Sequence, residues 1–65
     1  PAVMNAANEE AVRGFLDGGI GFVKIPKIIE KIMARHKSVS NPDLGEILEA
    51  DKWAREEARK LITKN

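Results

Sequence analysis

The stretch PAVMNAANEEAVRGFL, Pro1 to Leu16, decides the fold. Met4, Ala7, Ala11 and Phe15 recur at helical spacing with Val12 and Leu16 beside them. That spacing predicts a helix with an apolar stripe on one side and Glu9, Glu10 and Arg13 on the other. Alanines on such a stripe let a second helix come close, and Phe15 would fill the space beyond them.

Working outward, Asp17-Gly18-Gly19 closes this first helix, expected over 2–17, because glycine reaches the left-handed backbone region a helix end often needs. Ile20-Gly21-Phe22-Val23 alternates like a strand but has no second strand to pair with. It reads as an extended linker with Ile20 and Phe22 turned into the core. Pro26 suits the first turn of a second helix over 25–36, with Ile25, Ile28, Ile29, Ile32 and Met33 as its buried stripe and fraying near His36.

Residues 37–41 are a polar loop, and Asn41-Pro42-Asp43 reads as a helix start. Asn41 would cap it, Pro42 take the first position and Asp43 face the positive end of the dipole. Beyond it Leu44, Ile47, Leu48, Ala54, Ala58, Leu61 and Ile62 keep one helical phase, except that Asp51 falls where an apolar residue is due. Two readings compete: one unbroken helix with Asp51 at the edge of its stripe, or helices over 42–50 and 51–63 with Asp51 capping the second. The break is the preferred reading. The expected fold class is all-α, a small bundle of three to four helices with a left-handed superhelical arrangement.

A chain of 65 residues is one domain at most, and domains of this size bury only about 60% of the surface of the unfolded chain. It has no cysteine, so neither disulfides nor cysteine metal sites brace it, which fits a reducing cytoplasm. Eleven Lys and Arg against ten Asp and Glu leave a net charge of +1, too small an excess to point to nucleic acid. No apolar run approaches the roughly 20 residues needed to span a bilayer, so no membrane is expected as partner. The chain opens on Pro1, which fits either removal of an initiator methionine or a piece of a longer chain.

Little here carries chemistry. His36 is the only histidine, so no histidine metal trio and no Ser-His-Asp arrangement can form within one chain. Asp43, Glu46 and Glu49 repeat at i, i+3 spacing, yet Leu44, Ile47 and Leu48 claim the inward side, leaving the carboxylates on a solvated face. Lys24, Lys27, Lys31 and Arg35 form a basic stripe interrupted by Glu30 and lack a base-reading turn. A stand-alone interaction module using that stripe toward an acidic partner is the alternative reading. Asn5 and Asn8, three apart near the edge of the first stripe, read as positioning residues that reach backbone groups of a neighbouring loop. Asp51 is assigned to the helix start and Trp53 to packing. Glu9 with Arg13, Asp51 with Arg55 and Glu56 with Lys60 are expected as surface pairs worth about 0.2–0.5 kcal/mol each.

Two stretches carry a family resemblance. Met4 to Val12 followed by Phe15-Leu16 resembles the "LNAANE-x-AV-xx-FL" signature of the 1-deoxy-D-xylulose 5-phosphate reductoisomerases, and Asp51-Lys52-Trp53-Ala54-Arg55-Glu56-Glu57-Ala58-Arg59 resembles the closing "D-xx-AR-xx-AR" helix of that family. Phe22 and Ile25 match the linker and helix start between them. The departures are Met4 for the usual leucine, and Lys24 with Pro26 in place of a polar cap.

The resemblance implies that residues 1–65 are a C-terminal helical-bundle domain, a piece of a multidomain enzyme, bacterial and cytoplasmic or else plastid. That enzyme would convert 1-deoxy-D-xylulose 5-phosphate to 2-C-methyl-D-erythritol 4-phosphate, in non-mevalonate isoprenoid biosynthesis, with NADPH and Mg²⁺ or Mn²⁺. The family holds its dinucleotide, metal and substrate on other domains, so the resemblance assigns no catalytic, cofactor-binding or metal residue to this stretch. The implied partners are the catalytic domain of the same chain and, for the parent, a second subunit of a homodimer. The family also has a further helix upstream in the same bundle, and without it the piece is expected to self-associate.

Overall fold

The computed structural model describes residues 1–63, and these form three helices: α1 (Ala2–Leu16), α2 (Lys24–Arg35) and α3 (Leu44–Thr63). Among the described residues no strand occurs. The all-α reading holds, with three helices rather than four.

α1 ends as glycine dictates. Gly18 has φ of +81°, its N–H donates to the Phe15 carbonyl at 3.0 Å, and the Gly19 N–H donates to the Gly14 carbonyl at 2.8 Å. This crossed pair consumes carbonyls that the helix end would otherwise leave unpaired, and it needs the left-handed residue between them. Gly18→Ala is expected to destabilise the fold by about 1 kcal/mol, read as a lower urea midpoint at unchanged slope.

The chain then turns at once. The Lys24 and Ile25 N–H groups donate to the carbonyls of Gly21 and Phe22 at 3.0 and 3.1 Å. Ile20 is buried as expected, but Phe22 is 69% exposed. The tight turn sends Phe22 outward, so the expectation of an extended linker with both side chains inside is corrected. α2 begins one residue before the expected start and stops at Arg35, where His36 becomes extended and its N–H donates to the Ile32 carbonyl.

α3 starts later than the sequence suggests and does not break. Asp43 caps it: its Oδ1 accepts from the Glu46 N–H at 2.8 Å, and Glu46 Oε1 accepts from the Asp43 N–H at 3.0 Å. This reciprocal pair is a capping box. Asn41, expected as the cap, instead takes φ of +49°, and Pro42 precedes the helix. The four-helix reading with breaks at 42–50 and 51–63 is overturned because Asp51 has a better use inside a continuous helix. Its carboxylate accepts from Arg55 Nε at 2.8 Å, one turn onward on the helix edge, so it has no free N–H to cap.

Glu10 meets Arg55 and Arg59, Gly14 meets Ile62, and Val3 shares a recess with Ile47 and Ala50, so α1 and α3 run in the same direction. α2 runs back alongside this pair, its end reaching Glu57 through Arg35 and Trp53 through His36.

The core is Val3, Ala6, Ala7, Ala11, Ile20, Ile28, Ile32, Ala54 and Ala58. Five of these nine are alanine, which sets a close α1–α3 separation. Gly14 continues that seam: a Cβ there would lie 3.0 Å from Cδ1 of Ile62. The inward side of α1 is therefore its small side, rotated from the expected stripe. Met4 (42% exposed) and Phe15 (37%) lie outside, while Glu10 is buried. Period counting weighs large apolar residues most, but the close packing of parallel helices selects the small ones.

Candidate functional site

Two features of the bundle have no part in its apolar core. One is a charge cluster between α1 and α3, the other a set of large apolar side chains on the outer side of α1.

Glu10 is the centre of the cluster and is 4% exposed. Its Oε1 accepts from Arg59 Nε at 3.2 Å, and its Oε2 accepts from Arg55 Nη1 at 3.1 Å and Arg59 Nη2 at 3.3 Å. Arg55 also reaches Glu9 at 3.0 Å and Asp51 at 2.8 Å. A carboxylate removed from water costs several kcal/mol unless such donors replace its hydration. Here both oxygens are occupied, and no buried side-chain polar atom among the described residues lacks a partner.

The Arg59 hydrogen bond is the main reason the Glu10 carboxyl sits below its ordinary value of 4.5, outweighing burial, which pushes it up, with Arg55 assisting. Arg55 in turn is held even more firmly protonated, chiefly by Asp51 and then by Glu10. The folded value for Glu10 being lower, the unfolded chain binds more protons through this range, so stability rises with pH there. The contribution is complete above 4.5 and is lost as pH falls through the folded value. Glu10→Gln is expected to flatten the acid limb of a stability profile taken from about pH 6 to pH 2 by urea denaturation.

Sequence reasoning missed this cluster. The signal was there: Glu10 sits among Ala6, Ala7 and Ala11, while Arg55 and Arg59 each follow an alanine, Ala54 and Ala58, one turn apart. The expected surface pairs are partly rearranged. Asp51 does bond Arg55, but Glu9 pairs with Arg55 rather than Arg13, and Lys60 pairs with Glu57 at 3.2 Å rather than Glu56.

The outer side of α1 carries Met4, Val12, Phe15 and Leu16, and Phe22 and Val23 extend it along the following turn. The Phe15 and Phe22 rings meet edge to face, centroids 5.6 Å apart at 70°. Asn5 and Asn8 lie on the same side and are exposed, so they are not the partly buried asparagines expected. Asn8, Glu9, Val12, Arg13, Leu16 and Asp17 line a shallow groove there. Trp53 is half-buried with its ring tilted against His36, centroids 5.9 Å apart.

On α2, Lys24, Lys27 and Lys31 are exposed, whereas Arg35 turns to Glu57 at 3.1 Å, which shortens the basic stripe. Asp43 and Glu46 cap α3, and Glu9, Glu10 and Asp51 are held by arginines. Among the described residues no group of three His, Asp or Glu side chains could hold a metal ion, so these donors do not fit a divalent-metal centre. Nor is any described helix long and apolar enough to cross a membrane.

The arrangement thus offers a buried charge cluster and an exposed apolar surface. A family profile described as the DXP reductoisomerase C-terminal domain matches residues 1–57. The chain belongs to this family. The chain is 55% identical over 62 residues to the 1-deoxy-D-xylulose 5-phosphate reductoisomerase of Desulforamulus reducens, a match covering 95% of this chain and 16% of that protein. The reductoisomerase of Chlorobium limicola is 52% identical over the same shares. That of Prochlorococcus marinus is 54% identical over 100% of this chain and 16% of its own. The domain therefore spans about 16% of the length of the curated relatives it matches. No solved structure matches it.

Proposed function

We propose that this chain is the non-catalytic C-terminal domain of an NADPH- and divalent-metal-dependent enzyme that converts 1-deoxy-D-xylulose 5-phosphate to 2-C-methyl-D-erythritol 4-phosphate. The observation that carries the reading is the family match across residues 1–57. In this reading Glu9, Glu10, Asp43, Glu46 and Asp51 serve the scaffold, as caps and as partners of arginines. NADPH and Mg²⁺ or Mn²⁺ belong, in this reading, to the remaining length of the enzyme. The domain supports and orients the catalytic part of the same chain.

Asn5, Asn8, Asp51 and Trp53 are its positioning residues. Asp51 steadies Arg55, and Trp53 steadies the end of α2 through His36. Asn5 and Asn8 present free amides on the outer side of α1, suited to backbone groups of the adjoining part of the enzyme. The parent is a cytoplasmic homodimeric enzyme of isoprenoid biosynthesis, or a plastid one in a plant. Separated from the rest, the piece pairs with itself through its uncovered apolar side chains.

The test is NADPH oxidation with 1-deoxy-D-xylulose 5-phosphate and Mg²⁺ or Mn²⁺. The full-length polypeptide is expected to turn over and residues 1–65 alone to be inert; a full-length chain without turnover overturns the reading. Sedimentation of the isolated piece is expected to show concentration-dependent association, and a monomer at every concentration removes that part.

A further inference from the structure

Alanine lets α1 and α3 come close, but it tells one alignment of the two helices poorly from another. Ala50, Ala54 and Ala58 stand one turn apart on α3, as Ala7 and Ala11 do on α1, with Gly14 beyond them. If α3 slid one turn in the direction of its own C-terminus, about 5.4 Å, small residues would again meet small ones. The loop between α2 and α3, residues 36–43, can absorb that distance, since extended chain spans about 3.3–3.6 Å per residue.

The flanks of α3 do little to oppose this slide. Its start is loosely seated, with Ile47 39% exposed beside a mainly apolar recess of about 320 Å³. Toward α2, the slide would bring Trp53 to Arg35 and Glu49 to His36, in place of the present contacts of Glu57 and Trp53. An arginine over an indole and a carboxylate beside a histidine are pairs of similar worth. The opposite slide is blocked by bulk. It would move Ile62 from Gly14, where even a Cβ would lie 3.0 Å from its Cδ1, onto the larger Glu10.

Charge separates the two alignments that packing does not. In the observed one, the buried Glu10 carboxylate accepts from Arg55 and Arg59. One turn away, the places of those two arginines pass to Asp51 and Arg55. Glu10 would then face a like charge where it now has a donor, and a buried carboxylate tolerates that badly.

We propose that the charges around Glu10 lock the register of the bundle: Arg55 and Arg59 hold the observed alignment, and Asp51 excludes the one a turn away. Asp51 thereby has two uses. It steadies Arg55 in the fold at 2.8 Å, and it would stand against Glu10 in the competitor. Setting alignment is the best-attested role of buried ionic and polar groups, and a single core asparagine does the same in coiled coils.

The experiment uses the 65-residue chain and the nuclear Overhauser effect between the Gly14 Cα protons and the Ile62 methyls, which meet in the fold. The unaltered chain is expected to show this signal and none from the Ala58 methyl to Gly14. Exchanging charges, Asp51→Arg with Arg59→Asp, keeps the net charge and offers Glu10 two arginines only in the slid alignment. There the Ile62 signal is expected to vanish and the Ala58 signal to replace it. An unaltered chain without the Ile62 signal, or a folded exchange variant that keeps it or shows neither, overturns the proposal. If the exchange variant does not fold, Glu10→Met with Arg55→Met and Arg59→Met decides. Without charges to choose, this variant is expected to fold with both Ala58 and Ile62 in contact with Gly14. Contact from Ile62 alone overturns the proposal. So does a triple variant that does not fold, since the charges would then hold the fold itself rather than select its alignment.

Discussion

Replacing Arg55 and Arg59 together by methionine is expected to cost about 3–5 kcal/mol, because it strands a buried carboxylate. Glu10 keeps its place between α1 and α3 but loses all three donors, at 3.1, 3.2 and 3.3 Å. Domains hold roughly 0.05–0.15 kcal/mol per residue, so a chain this short has little beyond that loss in reserve. The double variant should be largely unfolded in dilute buffer, read as lost helical ellipticity. Adding Glu10→Met should return most of the stability, since apolar side chains of similar volume replace a buried ion cluster well. If the double variant unfolds at the wild-type urea concentration, the cluster contributes nothing and Glu10 is hydrated in solution.

The second large effect is at Ile32, fully buried where α2 meets the alanine seam. Ile32→Ala removes three carbons from a fully buried site in a core where five of the nine residues are alanine, which leaves little side chain to refill it. A loss of about 2–5 kcal/mol is expected, at the upper end because collapse is blocked, and Ile32→Val should lose only about 0.5–1.5 kcal/mol. Urea midpoints at unchanged slope check both. Equal effects from the two substitutions would show that the site is not packed as described.

Helix order could be read from residues with strong local effects, though helix number could not, since the preferred break at Asp51 does not occur. Gly18 ends α1, Pro26 sits in the first turn of α2, and the isoleucine stripe names Ile28 and Ile32 correctly as core. What could not be read depended on partners far along the chain. Asp51 looked like a helix break because an aspartate on an apolar phase normally signals one, and only Arg55 one turn on explains its place. Glu10 looked exposed because a charged residue is normally exposed, and Arg59 lies 49 positions away. Phe15 looked like core because it is large, while the close seam beside Gly14 accepts no bulk. The surface residues Asn5 and Asn8 were legible as unusual, though their exposure was not, because exposure depends on which side of α1 faces α3.

The separation between Glu10 and Arg59 also bears on how the molecule is made. A growing chain emerges from the ribosome amino end first, at about 5–20 residues per second. α1 therefore waits in the open without the two arginines that hydrogen-bond Glu10 in the fold, and the second guanidinium arrives only with the last turns of α3. Until Arg55 and Arg59 have emerged, α1 and α2 can associate loosely at best, and the outward-facing rings beside Leu16 stay exposed. A stop codon anywhere before Arg55 would leave translation products for proteases rather than a shorter version of the bundle.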